Sequence, residues 1–132
     1  MIHAAIATKA EYIKTAPVLR ELSARGVAYR IIDVGQHGGL SRSFRAPLAI
    51  EEPALRLGNG RDAETIPEVV RWAGGIAKLL FQRRKTLRRR LFGDDDQPIC
   101  LVHGDTPATL LASLLARRAG VPVAHLESGL RS

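Results

Sequence analysis

The chain has 132 residues, of which 45% are hydrophobic and 25% are charged. This balance is typical of one globular domain and excludes a disordered chain, a collagen-like fibre and a disulfide scaffold. Cys100 is the single cysteine, so an intramolecular disulfide is impossible and we expect a reducing, cytoplasmic setting. No apolar run reaches the roughly 18 residues of a membrane span, and no basic leader precedes the first apolar segment, so no membrane partner is expected.

The net charge of +7 arises mainly in one segment. Six of the 20 Lys and Arg residues fall within residues 83–90. The rest of the chain is close to neutral, with 14 Lys and Arg residues and 13 Asp and Glu residues. Leu80, Leu87 and Leu91 keep helical spacing through this segment, which predicts a helix with a solvated basic face. No aromatic side chains alternate with the cations to stack bases, which argues against a nucleic-acid partner. A non-catalytic binding or regulatory module that uses the 83–90 face is one possible function.

Five apolar runs have the length and composition of strands: residues 2–8, 27–34, 54–57, 98–102 and 121–126. Helical patterns occupy the intervals between them: residues 11–25, 40–46, 62–91 and 106–119. Pro17 predicts a kink in the first helix or its restart after one turn. The long pattern is predicted to bury one apolar face that includes Ile66 and Val70, with a kink or break at Gly74 and Gly75.

Apolar strands that alternate with helices predict an α/β fold, a three-layer Rossmann-like domain with a parallel sheet. Ligands of such sheets bind at the carboxyl ends of the strands. Polar side chains gather at those ends: Thr8, Lys9, Glu11, Lys14, Gln36, His37, His103, Asp105, His125 and Glu127. The pattern from Gly58 to Ala63 is similar to a dinucleotide-binding turn. It does not follow the first strand and no acid stands about 20 residues later, so we interpret it as a plain turn.

Residues that alternate along a strand share a face, so His103 with Asp105 and His125 with Glu127 are each predicted to point the same way. If the two strands are neighbours, both carboxylates reach one crevice and can serve as acid and base. The same four residues are also a possible Zn²⁺ or Mn²⁺ site of a metal-dependent hydrolase. In simpler interpretations Thr106 or Asp105 caps the last helix, and His125 is a core residue.

Four segments together resemble the N-terminal half of the non-hydrolysing UDP-N-acetylglucosamine (UDP-GlcNAc) 2-epimerases. They are residues 8–18 (TKAEYIKTAPV), 35–37 (GQH), 101–106 (LVHGDT) and 123–132 (VAHLESGLRS). The last two segments are specific in combination, and the resemblance covers nearly the whole chain. It implies one half of the two-domain glycosyltransferase-B fold, whose active site lies in the cleft between two Rossmann-like domains.

The resemblance implies an isomerase that inverts C2 of UDP-GlcNAc to give UDP-ManNAc, by elimination of UDP to a 2-acetamidoglucal and re-addition of UDP. By matching motif positions, Asp105 and Glu127 are predicted to transfer protons and to stabilise oxocarbenium-like charge. Six residues are predicted to bind the nucleotide-sugar substrate: Thr8, Lys9, Lys14, Gln36, His37 and Arg131. His103 and Arg131 also match positions open to a structural role. This route requires no metal and no redox cofactor.

The chain departs from the family pattern in three places. The family's Gly-Thr-Arg-Pro-Glu run is Ala-Thr-Lys-Ala-Glu at residues 7–11, where Lys9 keeps the charge but lacks the bidentate fork of arginine. Gly38 and Gly39 replace charged residues near an effector site of bacterial members, so we do not expect that site.

The third departure is at the end of the chain, because the family continues after its GLR motif into another catalytic glutamate and a second domain. We expect residues 1–132 to be a single domain equivalent to the N-terminal epimerase domain, with the C-terminal nucleotide-binding domain absent. Such a chain is predicted to be inactive alone. It is also predicted to self-associate, since its cleft face is exposed, or to be completed by a separate C-terminal-domain chain.

Overall fold

The computed structural model describes residues 1–35, 48, 52–58 and 65–128. These ranges hold five strands, four α-helices and one 3-10 turn: β1 (Ile2–Ile6), α1 (Lys9–Ala24), β2 (Tyr29–Asp33), β3 (Leu55–Arg56), α2 (Ile66–Ala77), the 3-10 turn (Lys78–Phe81), α3 (Arg84–Phe92), β4 (Ile99–His103), α4 (Pro107–Ala119) and β5 (Val123–Leu126). The five predicted strands are therefore confirmed. Four are shorter than their apolar runs, and β4 has the predicted length but begins and ends one residue later. The predicted helix at 40–46 lies outside the described residues.

The described strands form one parallel sheet in the order β3-β2-β1-β4-β5. β1 lies in the centre, where Ile2 is opposite both Tyr29 of β2 and Ile99 of β4. The chain thus builds one side of the sheet through β2 and β3 and then returns to build the other side through β4 and β5. At such a reversal the connections that follow neighbouring strands separate and leave a crevice at the carboxyl ends. The predicted parallel α/β sheet is confirmed.

Helices cover both faces of the sheet and complete the three predicted layers. One hydrophobic cluster joins the sheet to α1 and contains Ala4, Ile6, Tyr12, Ala16, Leu19, Ile31 and Leu101. The second cluster joins the opposite face to α2, α3 and α4, and includes Ala5, Ile32, Val34, Ile76, Leu87, Val102, Leu115 and Ala116. Neighbouring residues of one strand, such as Ala4 and Ala5, enter different clusters because side chains alternate along a strand.

Helix α1 begins at a capping box. The hydroxyl of Thr8 accepts a hydrogen bond from the amide of Glu11 at 3.3 Å, and the Glu11 carboxylate accepts from the amide of Thr8. The helix continues through Pro17, so the predicted restart after one turn is wrong. Pro17 removes the amide that would bind the carbonyl of Ile13, but both residues are exposed and water can hydrate that carbonyl.

The long helical pattern divides at a different place from the predicted one. α2 continues through Gly74 and Gly75, so the break predicted at this pair is wrong. Helix geometry ends instead at Gln82 and Arg83, whose ψ angles are 152° and 138°. Each glycine costs a helix only about 0.5–1 kcal/mol, which neighbouring turns can absorb. The two extended residues allow α3 to change direction and to bury Leu87 completely in the core.

The buried apolar face predicted for residues 62–91 is confirmed only for its second half. Ile76, Leu87 and Leu91 are buried, whereas Ile66 is 82% exposed and Val70 is 65% exposed. The start of the pattern, before Thr65, lies outside the described residues. Helical spacing identified the apolar face correctly, but it does not say which part of that face meets the sheet.

Helix α4 has the predicted limits. Thr106 is the N-cap and its hydroxyl accepts from the amide of Thr109 at 3.2 Å, so the alternative cap by Asp105 is wrong. The helix ends at Gly120, which has a left-handed φ of 75°. None of the helices in the described part of the chain is long and apolar enough to cross a membrane.

The ends of β2 and β3 approach each other at two glycines. A Cβ atom on Gly35 would lie 2.5 Å from the Cα atom of Gly58, and the φ of Gly35 is 79°. No side chain fits at such a distance, so Gly58 permits this backbone contact at the start of the predicted turn. The rest of that pattern, through Ala63, lies outside the described residues.

Candidate functional site

The carboxyl ends of β1, β4 and β5 lie side by side, because β4 pairs with both of the others. β4 and β5 are therefore neighbours, as a crevice shared by Asp105 and Glu127 requires. Five of the predicted site residues follow these strands: Thr8, Lys9 and Lys14 after β1, Asp105 after β4, and Glu127 after β5. The other three lie outside the described residues: Gln36, His37 and Arg131.

Glu127 is where polar side chains of three elements meet. Lys14 Nζ, on α1, donates to Glu127 Oε2 at 3.1 Å. His103 Nε2, at the end of β4, lies 3.4 Å from the same oxygen. The side chain of His103 is 6% exposed and that of Glu127 is 41% exposed. The solvent-accessible carboxylate of Glu127 therefore contacts the buried imidazole of His103 and the ammonium group of Lys14.

The environment of Glu127 favours its ionised form. The hydrogen bond and charge of Lys14 lower the pKa of Glu127 below its usual value, and His103 adds to the shift. The backbone of Glu127 has a left-handed φ of 60°, which costs a residue with a Cβ about 1–3 kcal/mol. Such strain is maintained where the surrounding structure holds a side chain in one direction. Glu127 is thus an anion at neutral pH in a constrained position.

Asp105 is exposed on the turn between β4 and α4. β4 ends at His103, and Gly104 has a left-handed φ of 78°, so the strand alternation that predicted a shared face for His103 and Asp105 does not apply. His125 Nε2 donates to the carbonyl of Gly104 at 2.6 Å, which fixes the peptide just before Asp105. His125 is itself exposed, so its interpretation as a core residue is wrong.

Cations collect at the beginning of α1. Lys9 is the first helical residue and is exposed, and Lys14 follows in the second turn. The unpaired amides of a helix N-terminus carry a partial positive charge that adds to these ammonium groups. The hydroxyl of Thr8 is already engaged as the N-cap. This side of the crevice is suited to an anionic group of a ligand.

The sequence placed Glu11 among the polar residues after the first strand and at the end of the family run at residues 7–11, without a role of its own. The structure buries it beneath the site. Its side chain Oε2 accepts from the amides of Ala7 at 2.7 Å and Thr8 at 3.3 Å. Oε1 accepts from the hydroxyl of Thr106, 95 residues away, at 2.7 Å. The Thr-x-x-Glu spacing was a signal for the first half of this arrangement. Nothing in the sequence indicated the contact with Thr106.

A protein-family model described as UDP-N-acetylglucosamine 2-epimerase matches residues 20–132, which is most of the chain. The chain belongs to this family. It is 28% identical over 131 residues to the UDP-N-acetylglucosamine 2-epimerase of Methanocaldococcus jannaschii, a match that covers 96% of this chain and 32% of the relative. It is 30% identical over 126 residues to a putative UDP-N-acetylglucosamine 2-epimerase of Clostridium acetobutylicum, covering 95% and 30%.

Solved structures of epimerases have the same fold as the chain. The crystal structure of the M. jannaschii UDP-GlcNAc 2-epimerase in complex with UDP-GlcNAc and UDP has a TM-score of 0.74 at 28% identity and covers 99% of this chain. The Neisseria meningitidis epimerase bound to UDP-GlcNAc has a TM-score of 0.71 at 27% identity. These neighbours confirm the expected relation to the glycosyltransferase-B fold. The chain spans about a third of the length of the relatives it matches.

The structure does not support the metal-site alternative. Within the described residues, no group of three or more His, Cys, Asp and Glu side chains is arranged to hold a metal ion. His103 directs its Nε2 to Glu127, and His125 directs its Nε2 to the carbonyl of Gly104. An imidazole nitrogen that already donates a hydrogen bond has no lone pair for a metal. His125 therefore cannot bind one through Nε2 in this state.

Three of the six cations in residues 83–90 contact other parts of the chain itself. Arg88 donates to the carbonyls of Asp95 and Asp96 at 3.1 and 3.0 Å. Arg89 pairs with Asp94 at 3.2 Å, and Arg84 reaches the last carbonyl of α4 at 3.5 Å. Arginines in this position hold the turn after α3 and the end of α4. This use within the fold does not favour the alternative of a binding module that recruits a partner through the same face.

Proposed function

We propose that this chain is the N-terminal part of a UDP-GlcNAc 2-epimerase, which interconverts UDP-GlcNAc and UDP-ManNAc. The observation that carries the proposal is the cluster of Lys14, His103 and Glu127 at the carboxyl end of the sheet, beside the turn that holds Asp105. Family membership supports the activity, and the M. jannaschii relative binds UDP-GlcNAc and UDP in its crystal structure.

Epimerisation at C2 through loss of UDP sets clear chemical requirements. The C2–H bond and the C1–O bond to the diphosphate break, a C1=C2 double bond forms, and UDP departs. UDP then adds back to C1 while C2 receives a proton on the opposite face. The net reaction involves no oxidation, so no external oxidant or reductant enters. It needs a base at C2, a proton donor on the other face, and cations on the diphosphate.

In this proposal, Asp105 and Glu127 are the proton-transfer and charge-stabilising carboxylates. Lys14 lowers the pKa of Glu127 and so favours its ionised form, the form that can stabilise an oxocarbenium-like centre or accept a proton. Asp105 is exposed on the adjacent turn and supplies the second carboxylate. Thr8, Lys9 and Lys14, at the beginning of α1, are proposed to contact the substrate. The other proposed contacts are residues outside the described ranges: Gln36, His37 and Arg131.

We also propose that turnover needs a further domain. Since the chain spans about a third of its relatives, the rest of the nucleotide site is expected from additional polypeptide, in a second chain or a continuation of this one. Self-association of this domain is a further expectation. We further propose a cytoplasmic location, because a chain with the single cysteine Cys100 gains nothing from an oxidising compartment.

The test follows UDP-ManNAc formation from UDP-GlcNAc by the 132-residue chain alone and by the chain joined to the remaining domain of a relative. We expect no turnover from the chain alone and turnover from the joined protein. In the joined protein, Asp105→Asn should lower kcat by roughly 10²–10⁴-fold without a change in Tm. Asp94→Asn, an exposed carboxylate before β4, is the matched control and should keep the unmodified rate. Turnover by the chain alone, or an unchanged kcat in Asp105→Asn, contradicts the proposal.

A further inference from the structure

We infer that Glu11 is a positioning residue, whose buried carboxylate ties the turn after β1 to the turn after β4. Through this tether it fixes Asp105 relative to the cations of α1. The kinetic consequence rests on the proposed function, whereas the tether itself does not.

The two turns are not joined by the sheet. β1 pairs with β4 only from Ile2 opposite Ile99 to Ala4 opposite Leu101, although β1 continues to Ile6 and β4 to His103. The ladder between the central strands therefore ends before their carboxyl ends, where the crevice opens. Beyond that point, contacts between side chains and turns must fix the turn after β1 relative to the turn after β4, and these two turns form the walls of the crevice.

Glu11 lies across this gap. Its side chain is on the first turn of α1, where Oε2 accepts from the amides of Ala7 and Thr8. Oε1 reaches the other wall and accepts from the hydroxyl of Thr106 at 2.7 Å. Glu11 is 4% exposed, so its charge is shielded from water and its hydrogen bonds are charge-assisted. The carboxylate of Glu11 thus binds the turn after β1 with Oε2 and the turn after β4 with Oε1.

The contact on the β4 side is placed next to Asp105. Thr106 follows Asp105 directly, donates its single hydroxyl proton to Glu11 and accepts from the amide of Thr109 as the cap of α4. Thr109 Oγ1 is 3.5 Å from Glu11 but only 2.7 Å from the carbonyl of His103, so its proton goes to the carbonyl. The tether therefore runs from Glu11 through Thr106, and loss of it frees the turn that carries Asp105.

The kinetic test compares Glu11→Ala with Glu11→Gln in the joined protein. Glutamine can accept from both α1-side amides with its oxygen and donate to Thr106 Oγ1 with its nitrogen, which keeps the tether without the charge. We expect Glu11→Ala to lower kcat by about 10²-fold with little change in KM, since a misplacement of about 1 Å costs that much. Glu11→Gln should remain close to the unmodified kcat. A purely structural role would lower Tm in both and leave kcat unchanged well below Tm.

The second measurement is amide hydrogen exchange in the 132-residue chain, which needs no activity. Glu11→Ala should speed exchange at the amides of Gly104, Thr109 and Leu110, whose hydrogen bonds depend on the turn at residues 104–106. β4 should keep its protection, and Glu11→Gln should resemble the unmodified chain. If Glu11→Ala does not fold, Thr106→Val removes the tether from the other side, with Thr106→Ser as the control that keeps the hydroxyl.

Three results overturn the inference: an unchanged kcat in Glu11→Ala, an equal loss in Glu11→Gln, or unchanged exchange at the amides of Gly104, Thr109 and Leu110. If the joined, unmodified protein has no epimerase activity, the proposed function fails and the exchange result alone decides whether the tether exists.

Discussion

Each end of the sheet holds a buried histidine beside a carboxylate. At the amino end, His3 Nε2 donates to Asp95 Oδ2 at 2.9 Å. At the carboxyl end, His103 Nε2 lies 3.4 Å from Glu127 Oε2. The pairs use the same two chemical groups, but the side chain of Asp95 is 16% exposed and that of Glu127 is 41% exposed.

At the amino end, both Asp95 and His3 are engaged by further neighbours. The other oxygen of Asp95 accepts from the amide of Gln97 at 3.1 Å, and the amino group of Met1 lies 3.2 Å from Oδ2. The ring of His3 packs edge-on against Phe92. The hydrogen bond from His3 lowers the pKa of Asp95 to about 2, whereas burial lowers the pKa of His3. Fully engaged groups of this kind stabilise a fold.

The pair at the carboxyl end is open. Glu127 stands on a strained backbone, has a cation beside it and keeps much of its surface in solvent. A histidine–carboxylate pair is therefore not by itself a sign of function. Both carboxylates have a cation beside them, so the greater exposure of Glu127 and its strained backbone are what distinguish the candidate site from the structural pair.

The two ends of the sheet should differ most in their effect on epimerase activity. Glu127→Gln in the joined protein should lower kcat by about 10³-fold, because an amide cannot accept the proton that a carboxylate accepts. Its Tm should stay within roughly 2 °C of the unmodified value, since the side chain is exposed. Epimerase assays and thermal unfolding measure the two quantities. An active Glu127→Gln protein would make the two ends equivalent and remove Glu127 from the mechanism.

The opposite pattern is expected at the amino end. Asp95→Asn should lower the free energy of unfolding by about 1–3 kcal/mol at pH 7, because the amide loses the charge-assisted bonds to His3 and Met1. The kcat of the joined protein should not change. Urea unfolding and the epimerase assay test this pair of outcomes, and a loss of kcat without a loss of stability would reverse the comparison.

The same pair predicts how stability depends on pH. The folded pKa of Asp95 lies below its unfolded value of 3.8, so its contribution is present above pH 3.8 and is lost as pH falls towards about 2. The folded pKa of His3 also lies below its unfolded value of 6.5, so its protonation in the unfolded chain begins to lower stability below that pH. Asp95→Asn should reduce the loss of stability between pH 3.8 and about 2 by the share that Asp95 contributes, while Glu127, whose pKa is also lowered, keeps its own share. Unfolding measured across this range checks the sign.

The smallest expected effect concerns the cation beside Glu127. Lys14→Met removes the main cause of the lowered pKa of Glu127, so that pKa should rise. If ionised Glu127 is required, the acid limb of the kcat/KM profile should move to higher pH. Lys78→Met, an exposed cation on the 3-10 turn, is the control and should leave the limb in place. A limb that does not move in Lys14→Met shows that another group controls it.

Local patterns predicted the elements of the fold well, and they failed where packing decides. Apolar runs located the strands, and Thr106 and Gly120 marked both ends of α4. The break at Gln82 and the exposure of Ile66 were missed, because both depend on how α2 and α3 meet the sheet and not on the residues themselves.

For the candidate site, the chain order already places carboxylates, imidazoles and lysines after the strands, and the motifs indicate the epimerase family. The convergence of Lys14 and His103 on Glu127, and the bridge from Glu11 to Thr106, arise only when the chain folds. The contacts of Lys14 with Glu127 and of Glu11 with Thr106 join residues 113 and 95 positions apart, and such long-range pairing follows from the strand order of the sheet. A sequence pattern records neighbours along the chain, whereas the reversal between β1 and β4 creates the neighbours across the crevice.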